Sequence, residues 1–258
     1  MNPSLKDQPK IFVSGSSWAR GEWVGPKIVH RGMIRYFEDD DYTVIDAGQS
    51  RSYHSRVIDH LDQQLTQHYN NNDIVLFVMA DPLLDIIMPE LDQMHVKRSD
   101  NVKNLKNLTE KILEAGGLIA LLRKQQQQIY QQLDTVAKQH NVIVNCIGGT
   151  YNVNTNLLCN FSNLNALLVS WIDLLIGHLR EYPGIGHPEV GVTYTWGIDY
   201  VNLDSYQPEF ANQVRGEFEC ITHYSPMLTE LIFHPDGLHP NREGHKILYT
   251  HLKKLLNL

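Results

Sequence analysis

Residues 73–80, DIVLFVMA, are apolar at every position after the leading aspartate. A strand of this kind has no face to give to water, so it belongs in the middle of a sheet that is covered on both sides. Shorter runs of similar character recur along the chain: KIFVS (10–14), YTVID (42–46), NVIVNCI (141–147) and ALLVS (166–170). Between them the apolar residues fall at helical intervals. Ile28, Met33, Ile34 and Phe37 form one such set, and Val57, Leu61 and Leu65, with His68, form another. Further helices are expected over 101–115, ended by Gly116 and Gly117, over 118–140, and over 171–181. Apolar positions 118, 122, 129, 133 and 136 fall on one face, so the run KQQQQIYQQL reads as a solvated helix face rather than low-complexity disorder. The chain closes with a helix whose stripe is Ile247, Leu248, Leu252, Leu255 and Leu256, behind a cap at Asn241.

Strands alternating with helices predict the α/β class: a three-layer α/β/α sandwich around a mostly parallel five-stranded sheet, with right-handed crossovers. No repeat, linker or second core interrupts the pattern, so residues 1–258 are expected to form one domain. From about 183 to 224 no period is visible, and Pro183, Gly184, Gly186, Pro188, Gly191 and Gly197 punctuate the stretch. It is expected to be a long ordered loop over one end of the sheet, and loops of such length usually carry function.

Charge narrows the partners. Twenty-two Lys and Arg against 29 Asp and Glu give a net charge of −7, so no overall basic field is available to hold a phosphate backbone, and nucleic acid is not an expected partner. The three cysteines, Cys146, Cys159 and Cys220, are too scattered for a zinc or redox pair. The opening MNPSLKDQPK lacks the apolar core of a signal peptide, and LNALLVSWIDLLIGHL is short for a membrane span and interrupted by Asp173. A cytoplasmic, non-membrane protein is expected.

In a parallel sheet, ligands bind beyond the carboxyl ends of the strands. Reactive residues are therefore sought in GSSWARGEW (15–23), AGQSRS (47–52), ADPLLD (80–85) and GGTYNVN (148–154). The first loop sets Ser16 and Ser17 on a glycine-flanked turn into a helix. That position suits a nucleophile, and it suits a helix cap equally well.

FHPDGLHPNREGH (233–245) adds the other half of a reactive pair. Pro240 keeps His239 out of helical geometry, which frees its ring to point into a cleft. Asp236, across Gly237, can fold back to accept a hydrogen bond from Nδ1 and leave Nε2 as a base. His234, His239, His245 and His251 lack the i, i+4 spacing of a helical metal pair, so no metal site is assigned to them. His245 and His251 read as structural.

DGLHPNREGHKIL resembles the terminal block of the SGNH hydrolases, also called the GDSL esterase and lipase family, and IFVSGSSWARGEW resembles their first block in the branch with Gly-x-Ser-aromatic. VIDAGQS is similar to the second block. The resemblance implies the flavodoxin-like SGNH hydrolase fold, with Ser17 as nucleophile, Asp236 and His239 as its partners, and the backbone amides of Ser17 and Gly48 as the oxyanion hole. It implies a serine hydrolase of small acyl esters, acetyl on a carbohydrate among them, that needs no metal or organic cofactor. Trp18, Trp23, Tyr194 and Trp196 are candidates to stack on a sugar ring or to lie in the core.

The third block departs from the family pattern, because Ala80 stands where an asparagine is usual. Loss of one oxyanion donor costs about 10²–10³ in turnover. Asn152, Asn154 and Arg123 are candidate substitutes. The alternatives are a weakly active or inactive binding or accessory protein on the same fold, an acyltransferase, and a phosphate-cradling first loop of flavodoxin type, against which Trp18 and the loop's arginine both argue.

Overall fold

The structure, a computed structural model, describes residues 9–24, 27–50, 52–80, 82, 85, 106–149, 151–180 and 239–258. Its centre is a five-stranded sheet built from β1 (Ile11–Gly15), β4 (Val44–Asp46), β5 (Ile74–Met79), β6 (Val144–Gly148) and β7 (Leu164–Leu168). The spatial order is β4-β1-β5-β6-β7, and every pairing is parallel. The predicted strands are all present, and the apolar run at 73–80 supplies the central one.

Alternation along the strands explains the three layers. Phe12, Val75, Phe77, Met79, Val144 and Cys146 face one way, against α3 (His54–His68) and α5 (Leu118–Gln139). Ile11, Val13, Leu76 and Val78 face the other way, with Ile147 beside them. They meet α1 (Ser17–Arg20), α2 (Gly32–Asp39), α7 (Trp171–Arg180) and α8 (Arg242–Leu256). Phe12, Phe77, Leu76 and Val13 are each 0% exposed, and burying a side chain of this size contributes about 1.5–3 kcal/mol. Two further helices, α4 (Lys106–Ala115) and α6 (Thr155–Leu158), complete the described elements together with a hairpin. The cap expected at Asn241 is formed, its side chain accepting from the Gly244 amide at 3.0 Å.

That hairpin corrects the sequence reading. Ile28 is not on a helix but in β3 (Lys27–His30), which pairs antiparallel with β2 (Glu22–Val24). Ile28 and Met33 are five residues apart, which is not a helical interval, and of that set only Met33, Ile34 and Phe37 belong to α2. What breaks the helix is glycine: Gly21 has φ 128, and a Cβ there would stand 2.1 Å from the His30 carbonyl oxygen. The chain therefore turns after α1, runs out and back, and starts α2 only at Gly32.

The expected loop at 183–224 lies outside the described residues. Among the described residues, no helix is long and apolar enough to cross a membrane.

Candidate active site

Strand order reverses between β1 and β5, and sheets of this kind bind ligands in the crevice outside the carboxyl ends of the strands at such a switch point. The first loop brings Ser17 to this point. Ser16 is the N-cap residue of α1 in extended conformation, yet its side chain makes no capping hydrogen bond. Ser17, the first helical residue, instead meets His239: Oγ lies 2.8 Å from the ring Nε2, across 222 positions of sequence. That is within the reach a base needs to take a hydroxyl proton. The cap reading of the serine pair therefore fails for Ser16, and Ser17 faces an imidazole.

The entry to α8 holds His239 in place. Pro240 is buried, Asn241 caps the helix, and Arg242 is tied twice, its carbonyl accepting from the Tyr36 hydroxyl at 3.0 Å and its Nε bonding Glu22 at 3.0 Å. Beneath them His245 is fully buried and accepts the Met33 amide on Nδ1 at 3.3 Å. The Trp171 ring packs edge-on against both His245 and Trp18, with centroids 5.0 and 5.3 Å away, and its Nε1 donates to the Gly244 carbonyl. The floor under the Ser17–His239 pair is thus a packed aromatic stack joining the first loop to the last helix. Burial pushes the His245 pKa down to about 3, only partly offset by the backbone of Gly21. This ring is neutral and structural, as expected.

Trp18 is 4% exposed. It belongs to the core, so it neither stacks on a sugar ring nor lines a phosphate cradle. The side chain of Trp23 lies outside the described residues, as do Tyr194 and Trp196. Asp236, the expected third member of the triad, and His234 also lie outside them.

The second loop is braced against the first. Arg20 donates from Nε to Asp46 Oδ2 and from Nη1 to Ser50 Oγ, both at 3.2 Å, and its stem packs on Gly48. The Gly48 amide expected to serve an oxyanion donates here to Asp46 Oδ1 at 3.1 Å. An incoming oxyanion would have to displace that carboxylate.

Of the candidate substitutes for the missing donor, Asn154 uses its side-chain oxygen to cap α6, accepting from Leu157 N at 3.1 Å. Asn152 and Arg123 are exposed. None is brought to Ser17 by a contact in the described structure.

Sequence reasoning missed two arrangements, the Arg20–Asp46 brace and a buried histidine–carboxylate pair, His54 with Asp85. Arg20 could have been suspected from its place one turn after Ser17. Nothing in the spacing links His54 to a carboxylate 31 positions away.

Among the described residues, no group of three or more histidine, cysteine or carboxylate side chains is placed to hold a metal ion. No protein-family model matches the chain, and no curated protein matches it.

Proposed function

We propose that the chain is a serine hydrolase acting on small acyl esters, with Ser17 as nucleophile and His239 as general base and acid. The contact of 2.8 Å between Ser17 Oγ and His239 Nε2 carries this reading. It joins a hydroxyl and a base at the sheet position where α/β proteins bind ligands, and no helix cap requires it.

In this scheme Ser17 Oγ attacks the ester carbonyl carbon while its proton passes to His239 Nε2. The tetrahedral intermediate collapses, His239 gives the proton to the leaving alcohol, and an acyl-serine remains. A water molecule then loses a proton to His239 and attacks the acyl carbon, and the second tetrahedral intermediate collapses to the free acid as His239 returns that proton to Ser17 Oγ. Asp236 is proposed to hold the imidazole from Nδ1. The oxyanion is received by the backbone amides of Ser17 and Gly48, the second after Asp46 gives way while Arg20 retains that carboxylate. The proposed substrate is a small acyl group, acetyl on a carbohydrate being the leading candidate. An alcohol acceptor in place of water would make the same acyl-enzyme a transferase.

The test is hydrolysis of p-nitrophenyl acetate by the parent, Ser17→Ala and His239→Ala. Each variant is expected to lose at least about 10³-fold in kcat. Parental activity in both would remove the mechanism.

One observation favours a second reading. Ala80 brings no polar side chain to the crevice, and its amide is already bonded to His54. A site so short of donors suits a fold kept for binding. In that case Ser17 would fail to react with an acylating or phosphonylating probe.

A further inference from the structure

The strand leaving the crevice opposite Ser17 is held by a network of its own. Gly15 and Val78 are the last pair between β1 and β5, so Ser17 and Ala80 each lie two positions beyond that pair on the two segments leaving it. They are the two sides of the switch-point crevice. Ala80 contributes only a methyl group, so what this side offers depends on where its backbone is held.

The holding group is His54, at the start of α3. The Ala80 amide donates to its Nε2 at 3.1 Å, which makes Nε2 an acceptor and leaves the ring proton on Nδ1. That proton points at Asp85 Oδ2, which lies 2.5 Å from Nδ1. Asp85 also receives the His54 amide at 3.2 Å and, from Ser55, the amide and the hydroxyl, both at 3.0 Å. The His54 ring is 2% exposed and lies over Phe77, centroids 6.3 Å apart. Burial pushes the Asp85 carboxyl up, but the adjoining His54 ring and the amides of Ser55 and His54 outweigh it and bring the pKa below the ordinary value. Both ring nitrogens are used, and they connect the Ala80 amide to the Asp85 carboxylate.

We propose that His54 and Asp85 are a positioning dyad for the reaction at Ser17, fixing Ala80, the residue that follows β5, on the far side of the switch point from that serine. The proposal rests on the hydrolase reading. The dyad does not touch substrate; it acts through the backbone it holds.

The test uses the full chain as parent, His54→Leu, His54→Gln and Asp85→Asn. Measured for each are kcat and KM on p-nitrophenyl acetate, the rate of fluorophosphonate labelling at Ser17, and thermal unfolding. Glutamine offers one acceptor and one donor spaced much as the ring nitrogens are, whereas leucine offers neither.

Expected are losses of about 10-fold or more in kcat and in labelling rate for His54→Leu and Asp85→Asn, with KM within about twofold, and recovery of most of the loss in His54→Gln. Should His54→Leu fail to fold, Asp85→Asn decides, since it keeps size and shape. Parental kcat and labelling in a folded Asp85→Asn would overturn the dyad, as would a His54→Gln no better than the leucine variant. Absence of labelling in the parent would overturn the hydrolase reading and the dyad's role with it. Labelling in the parent that no variant alters would overturn the dyad alone.

Discussion

His239 and His245 flank the start of α8, and the fold treats the two rings in opposite ways. His239 precedes Pro240, is partly exposed, and spends Nε2 on a serine hydroxyl. His245 sits one turn into the helix, is 0% exposed, and spends Nδ1 on the Met33 amide. The difference comes from the backbone: a proline that holds its neighbour in an extended turn presents a ring to a crevice, while a helical residue on the apolar stripe drives its ring into the core. The same pairing shows one ring supporting the other. The packed ring locates the helix start, and the helix start locates the ring that meets Ser17.

Substitutions can break each side of this contrast. His239→Ala is expected to have the largest effect on activity, at least about 10³-fold in kcat, with unfolding temperature close to parental. Steady-state kinetics beside a thermal melt would check both parts. A variant that lost its fold together with its activity would show that His239 supports structure as His245 does.

Next in size is Gly32→Ala, which attacks the buried ring. Gly32 has φ 54, and a Cβ there would stand 2.4 Å from His245 Nδ1, so strain and overpacking act together. A loss of about 3 kcal/mol in unfolding free energy is expected, measurable by urea titration. A neutral outcome would mean that the ring is not locked in place.

His245→Asn sharpens the comparison through pH. Because burial lowers the folded pKa to about 3 from an ordinary 6.5, the unfolded chain binds the proton first as pH falls. The group's contribution is therefore complete above about pH 6.5 and is lost between there and pH 3, at up to about 1.4 kcal/mol per pH unit. Asparagine can still accept from Met33 but does not titrate, so unfolding of the variant should show an acid slope shallower by about one proton. An unchanged slope would place the buried titration elsewhere.

The smallest effect is expected from Asn241→Ala, which removes the cap that sets the helix start. It should cost about 1 kcal/mol in stability and lower kcat by less than His239→Ala does. Equal stability in urea would mean that the cap adds nothing.

Much of this contrast was legible in the sequence, and the reasons are local. Pro240, Asn241 and the apolar stripe behind them state the turn, the cap and the helix, and DIVLFVMA states its own central place, because each effect acts over a few residues. The parallel sheet followed from how the pattern repeated. The hairpin at 22–30 was hidden because Ile28 reads with the apolar set of α2 although five residues separate it from Met33, whereas Gly21, close against the His30 carbonyl, requires a turn there. The Gly48 amide was expected to stand ready, yet Asp46, held by Arg20, takes it. His54 and Asp85 were invisible for a different reason: a buried hydrogen bond between distant positions leaves no period or spacing to read.

The Ser17 hydroxyl, set against His239, is proposed to be a working nucleophile. Intact mass after exposure to a fluorophosphonate tests it most directly, in the parent and in Ser17→Ala. One covalent adduct on the parent and none on the variant is the predicted result. A parent that gains no adduct, or a variant that gains the same one, would contradict it.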